Sequence, residues 1–339
     1  MNRFRVRVTL VTVAAMAILG VGAGFAFAQS STAAIGTGVV VVDTKLGYEG
    51  GAAAGTGIVL TSSGEVLTNN HVIQGETTVH VVLPGTTHTY SGKVVGYDVA
   101  ADVAVIQLSA ASNLKTASLG DSSKLTVGQA VKALGNAGGA GTLTSATGSV
   151  TGLGKSISVS NDQGGSEQLA GLIETNAALQ PGDSGGPLSS GGKVIGMDTA
   201  ASTGYGYQAV VASDSYAIPI NKAVAIARQI ESGKATAAVH IGATAFIGVQ
   251  ITSAIRDGFG APSSGAIIAG TVAGGPAASA GLEPGDVITA INGKSFSSPS
   301  AITALILTKK PGAKITVTYT DRGGASHVAT VTLGSGPPQ

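Results

Sequence analysis

Apolar residues along this chain gather in short runs rich in valine, isoleucine and threonine: "GTGVVVVD" from position 36, "VAVIQL" from 103, "GKVIGMDT" from 192 and "KITVTYT" from 314. Between them lie glycine- and serine-bearing segments such as "TSSGE", "LPGTT" and "SSGGK". Runs of this length between turn residues predict strands joined by tight connections. From about Ile35 to Pro219 their dense spacing predicts an all-β sandwich or a pair of barrels.

The pattern changes at "NKAVAIARQIESGK", residues 221–234, where Ala223, Val224, Ala227 and Ile230 recur at helical spacing before Gly233. One amphipathic helix is predicted to close a first domain spanning 35–234. "ATAAVHIGA" then reads as a connector of small residues. Beyond it, strands ("FIGVQI", "GAIIAGTV", "DVITAING", "HVATVTL") mix with two helical segments, "GPAASAG" and "SPSAITALILTKK". These predict a second, α+β domain over 243–334, with a disordered tail at 335–339.

The first 28 residues stand apart. Arg3, Arg5 and Arg7 precede an apolar run from Val8 to Phe27, and Ala26 and Ala28 satisfy the small-residue rule for cleavage. A removable export signal over 1–28 is expected; retention of residues 8–27 as a membrane tether is the alternative. Loss of the three arginines takes the formal charge from +1 to −2, which leaves no basic surface for nucleic acid. With 339 residues, 43% hydrophobic and 11% charged, the chain has room for two packed domains. The absence of cysteine excludes disulfides, thiol catalysis and cysteine metal sites.

Candidate chemistry centres on "QPGDSGGPL", residues 180–188. A glycine-flanked serine is ordinary turn chemistry unless a base and a carboxylate accompany it. Of the five histidines, His80 and His88 lie in or beside a polar turn, His240 lies in the connector and His327 in a strand of the second domain. His71, in "GEVLTNNHVIQ", follows a hairpin strand and could reach a cleft between barrels. "GYDVAADVAVIQL" supplies Asp98 and Asp102; Asp102 opens an apolar strand and is taken as the carboxylate that fixes the imidazole tautomer. The glycines beside Ser184 permit the N–H groups of Gly182 and Ser184 to converge on a developing oxyanion. That set needs neither a metal nor a cofactor.

"LTNNHV", "ADVAVI" and "GDSGGPL", in the chain order His, Asp, Ser, resemble the trypsin-like serine peptidases. With the second domain, "AVKALGNAGG" and "YAIPIN", they resemble the HtrA/DegP group. "AFIGVQI" and "PAASAGLEPGDVITAINGKSF" resemble a PDZ domain. The resemblance implies a mainly β protein, with a two-barrel chymotrypsin-like domain before an α+β PDZ domain, and a serine endopeptidase acting on unfolded or damaged exported proteins. By the same resemblance Ala178, with Ala177 and Leu179 nearby, borders the primary pocket, where no carboxylate stands to pair Lys or Arg. Peptide ends or extended segments would meet Phe246, Ile247, Gly248 and Val249, opposite Ile302, Leu305 and Ile306. The group usually has Asn where Asp183 stands. Tyr48 is the one aromatic residue between Gln29 and Gly57, whereas many relatives build trimers through aromatics there, so homo-oligomerisation is left open. A chaperone or scaffold that holds clients without cutting them is the alternative function.

Overall fold

The valine run forms strand β1 (Val39–Leu46), followed by β2 (Gly51–Val59), β3 (Glu65–Thr68), a one-turn helix α1 (Asn70–Ile73), β4 (Thr78–Val82), β5 (Thr89–Asp98) and β6 (Val103–Leu108). This computed structural model describes residues 36–48, 50–160, 166–201, 214–253, 265–296 and 298–338; the expected export segment 1–28 lies outside them. Antiparallel pairing runs β1-β2-β3-β6-β5-β4 and returns to β1, closing a ring. Val40, Val42, Val66, Val81 and Ile106 fill one core cluster, while Val39 and Val41 are buried too. Burial on both faces explains why the run is continuous and does not alternate.

A second closed barrel has the order β10-β11-β12-β9-β8-β7. Its strands are β7 (Ala130–Gly135), β8 (Thr144–Ser160), β9 (Ser166–Thr175), β10 (Pro187–Ser190), β11 (Lys193–Ala201) and β12 (Ser215–Pro219). Helix α2 (Ile220–Glu231) follows directly. Its buried face, Ile220, Ala223, Ala227 and Ile230, joins one apolar cluster with Leu67 and Val103 of the first barrel and Leu172 and Met197 of the second. The helical spacing read in the sequence is therefore the imprint of the seam between the barrels.

The small-residue segment expected to be a plain connector forms β13 (Val239–Ile241), which pairs with β5 as an added strand. Gly96 makes this possible, since a Cβ there would lie 2.5 Å from the carbonyl oxygen of His240. His240 lies against Tyr97 with ring centroids 5.0 Å apart, and the Tyr97 hydroxyl shares a 3.1 Å hydrogen bond with Thr244.

The second domain begins with β14 (Thr244–Phe246) and β15 (Val249–Ser253). β15 is the edge of a sheet that continues through β16 (Ala266–Thr271), β17 (Val287–Ile291), β19 (Lys314–Thr320) and β20 (Ser326–Thr332), with β18 (Lys294–Ser295) on β17. Helices α3 (Pro276–Ser279) and α4 (Pro299–Leu307) are the two helical segments expected. The tail expected to be disordered is instead fixed by backbone pairing: β21 (Gly334–Gly336) pairs with β14, and Gly75 N–H donates to Pro338 O at 2.9 Å. Among the described residues no helix is long and apolar enough to cross a membrane.

Because Val239 is buried and β13 is hydrogen-bonded to β5, a chain ending at Gly242 should be more stable than one ending at Ala235. Burial of one such side chain contributes about 2 kcal/mol, which corresponds to a melting temperature roughly 4–8 °C higher. Differential scanning calorimetry of the two chains checks this; equal melting temperatures would contradict it.

Candidate active site

His71 sits on α1, just past the end of β3 and behind two buried asparagines, Asn69 and Asn70. Its position is set through Asp102. The backbone N–H of His71 donates to Asp102 Oδ1 at 3.0 Å, and the ring Nδ1 lies 3.1 and 3.0 Å from the two carboxylate oxygens. A carboxylate only accepts, so Nδ1 carries the proton, and in the neutral ring Nε2 is the acceptor. Asn69 Nδ2 holds the carbonyl of Asp102 at 2.9 Å.

Asp102 is 6% exposed and has a backbone φ of 53°, a left-handed conformation uncommon for Asp. The Thr199 hydroxyl, on β11, also donates to its Oδ2. One buried carboxylate thus collects a backbone N–H, a ring N–H and a hydroxyl, the arrangement that keeps a buried charge tolerable. Asp98 has another job: its Oδ1 accepts Ala101 N–H at 3.0 Å and shapes the turn leading to Asp102.

Ser184 lies in the turn between β9 and β10. Asp183 N–H donates to Gln180 O at 3.0 Å, Gly186 N–H to Asp183 O at 2.8 Å and Gly185 N–H to Asp198 O at 2.9 Å. Position 185 needs glycine: its φ is 84°, and a Cβ would lie 2.0 Å from Thr56 O. Thr56, fully buried on β2, ties this turn to the first barrel. Its N–H donates to Ser184 O at 2.8 Å, and its hydroxyl donates to Gly182 O at 2.7 Å while accepting Asn136 N–H at 2.9 Å. Gly138 N–H donates to Pro181 O at 2.7 Å from the "GNAGG" segment. The N–H groups of Gly182 and Ser184 have no acceptor among the described residues, which leaves both available to an oxyanion. Ser184 Oγ is 3.3 Å from Thr199 O.

Two further carboxyls lie under this turn. Asp183 Oδ2 accepts Gln180 N–H at 2.9 Å, but among the described residues Oδ1 has no partner, and neither oxygen of the fully buried Asp198 has one. Burial raises Asp183 above the usual carboxyl range against the pull of that backbone bond; burial, then the charge of Asp183, raises Asp198 well above it.

The remaining expected residues divide by burial. Ala177 and Leu179 pack into the core of the second barrel; Ala178, between them, is the exposed one. In the second domain Ile247, Ile302 and Ile306 are core residues, whereas Phe246, Val249 and Leu305 are partly buried. Gly248 makes the turn from β14 into β15. Among the other histidines, His80 lies on β4, His88 packs against Tyr90 with ring centroids 5.1 Å apart, and His327 pairs with Asp321 at 2.7 Å. Sequence reasoning missed Thr56 and Thr199. No spacing rule marks a threonine whose partners are brought to it by the fold alone.

Two barrels with His71 and Asp102 on the first and Ser184 on the second, followed by an α+β module, describe a class: a trypsin-like peptidase domain carrying a PDZ domain. Residues 55–197 match the trypsin-like peptidase domain family and residues 238–320 the PDZ domain family. Similar proteins include serine protease PepD of Mycobacterium tuberculosis, 36% identical over 87% of this chain and 63% of that protein. A probable periplasmic serine protease of the do/HhoA-like kind from Haemophilus influenzae is 38% identical over 80% of this chain and 56% of that one. The chain thus spans about six-tenths of the length of these relatives. A solved structure of the HtrA-type protease AlgW with a tripeptide superposes with a TM-score of 0.51 at 28% identity, covering 91% of this chain and 99% of that one. The chain thus carries a trypsin-like peptidase domain followed by a PDZ domain, the arrangement of the HtrA-type proteases it is similar to.

Thr56→Val keeps the shape of this side chain and removes the hydroxyl that serves Gly182 and Asn136. Leaving a buried carbonyl and N–H unpaired should cost about 2–4 kcal/mol. Urea unfolding measures it, with a lower midpoint and an unchanged slope expected.

Proposed function

We propose that this chain is an exported serine endopeptidase that cuts unfolded or damaged polypeptides, with Ser184 as nucleophile, His71 as base and Asp102 as the carboxylate that orients it. The observation that carries this reading is the His71 ring held on a buried, three-donor Asp102, in a fold whose serine turn leaves two N–H groups uncommitted. Ser184 Oγ attacks the peptide carbonyl as its proton passes to His71 Nε2; the carbonyl oxygen gains the negative charge and is received by Gly182 and Ser184 N–H. The imidazolium then returns its proton to the leaving amine, and water enters by the same route to release the acyl group. Asp102 holds the ring throughout and stabilises its positive charge.

Near the primary pocket Ala178 offers no charge, so cleavage should follow small or medium aliphatic residues such as Val, Ala or Leu. Mass spectrometry of fragments from an unfolded protein tests this; dominant cutting after Lys or Arg would reject it. In the second domain β15 ends its sheet, which supports addition of a peptide as a further strand beside α4, with Leu305 partly exposed there. The peptide-bearing AlgW structure is in keeping with that use. Export is supported by the character of residues 1–28 and by the periplasmic label of the Haemophilus relative.

Ser184→Ala should lower peptide hydrolysis by on the order of 10⁶-fold while the fold persists, and a serine-directed phosphonate should label wild type only. Asp102→Asn should reduce turnover by roughly 10⁴-fold, as expected for a Ser-His-Asp triad, because the wrong tautomer is then held. Asp98→Asn should change it little, since Asp98 serves the Ala101 turn. Steady-state assays with a fluorogenic peptide rank the three; a milder effect at Asp102 than at Asp98 would overturn the assignment.

A further inference from the structure

The two carboxyls beneath the serine turn are not used by the mechanism above. Asp198 is fully buried and Asp183 is 5% exposed, and among the described residues three of their four oxygens lack a partner. Their backbones are interlocked: Asp198 N–H donates to Gly186 O at 2.8 Å, its carbonyl accepts Gly185 N–H, and Asp183 O accepts Gly186 N–H. Asp198 is also the neighbour in sequence of Thr199, which serves Asp102. Whatever moves either carboxyl therefore moves the residues that carry the oxyanion donors.

Nothing cationic offsets them among the described residues. From the turn itself Asp198 faces Asp183, whose charge raises its proton affinity. Through Thr199 the next charged groups are Asp102 and His71. β10 carries no ionisable side chain, and β12 carries only Tyr216. On α2, which packs against β11, Arg228 and Glu231 are exposed, while Lys222 Nζ donates to Ala170 O at the surface. β7 contributes Lys132, and its Gly135 abuts Asp183 so closely that a Cβ would lie 2.5 Å from Oδ1. Two unpaired charges in such a site would repel strongly and lose their hydration together.

We infer that Asp183 and Asp198 are a one-proton positioning pair: the turn bearing Gly182 and Ser184 is held for catalysis while Asp198 is neutral, and is displaced when its proton is lost to solvent. This rests on the assignment of Ser184 as nucleophile. With one charge, Asp183 keeps its bond from Gln180 N–H and the turn stays seated. With two, repulsion works against that bond, and negative charge accumulates beneath the place where an oxyanion must form. The effect falls on turnover, with KM little changed. Activity therefore declines at alkaline pH for a reason separate from His71, which governs the acid side as the base that must be neutral.

Burial raises the affinity of Asp198 for its proton in the folded state. Its stabilising contribution is then full below the unfolded carboxyl value of about 4 and is lost as pH rises through the higher folded value. The test measures kcat and KM against pH for wild type, Asp198→Asn and Asp183→Asn, each normalised to its own maximum, with melting temperatures over the same range. Wild type should show an alkaline decline in kcat that both amides flatten, leaving at least about tenfold more relative activity above the wild-type midpoint; the acid limb should not move. The wild-type melting temperature should fall over the alkaline rise, and that of Asp198→Asn should fall less. Superimposable alkaline limbs, or a wild-type melting temperature that stays level across the range, would overturn the proposal; the second readout stands even where an amide variant fails to fold. Phosphonate labelling separates the two claims: a wild type unlabelled at Ser184 rejects the nucleophile and the pair with it, whereas labelled protein with unchanged alkaline limbs rejects the pair alone.

Discussion

A buried threonine ties the two barrels together at the serine turn. Thr56 belongs to a strand of the first barrel, yet its amide and its hydroxyl both grip the serine turn of the second. Thr68 in turn donates its hydroxyl to the Thr56 carbonyl at 2.7 Å. His71 and Asp102 lie on the first barrel and Ser184 on the second, so their alignment depends on this cross-barrel link, on the bond from Thr199 to Asp102 and on the apolar seam that α2 completes. The seam supplies adhesion without direction; the hydrogen bonds supply the register that a reaction requires.

Three aspartates within this small region show how environment decides what one side chain does. Asp102 collects three donors. Among the described residues Asp183 has one backbone donor and one unpaired oxygen, and Asp198 has no donor for its side chain. The gradient follows from which backbone and side-chain donors the turns happen to present.

Much of this was readable in the chain. Short valine-rich runs gave the strands, because strand burial leaves a local signature, and Ala223, Ala227 and Ile230 gave α2, because a helix buries one face at fixed spacing. His71 and Asp102, separated by a strand pair and a loop, come together as their motifs implied. What escaped had no local signature. The small residues of 235–243 carry no periodicity, and β13 forms because Gly96 admits a second backbone. The tail is held by main-chain pairing to β14, to which its Gly-Ser-Gly side chains contribute nothing. The burial of Ala177 and Leu179 in the core of the second barrel, on either side of exposed Ala178, likewise had no local signature.

The pairing of β13 with β5 also sets how the two domains can be spaced. A flexible connector would let the PDZ domain drift by any amount. A strand zipped against Gly96, Tyr97 and Asp98 cannot, because a slip of one residue would turn Val239 out of the core and His240 away from Tyr97. Allowed displacements come in pairs of residues, roughly 7 Å at a time. The PDZ domain is thus indexed to the barrel that carries His71, like a ratchet with a fixed tooth, and the evolutionary freedom to lengthen this joint is quantised.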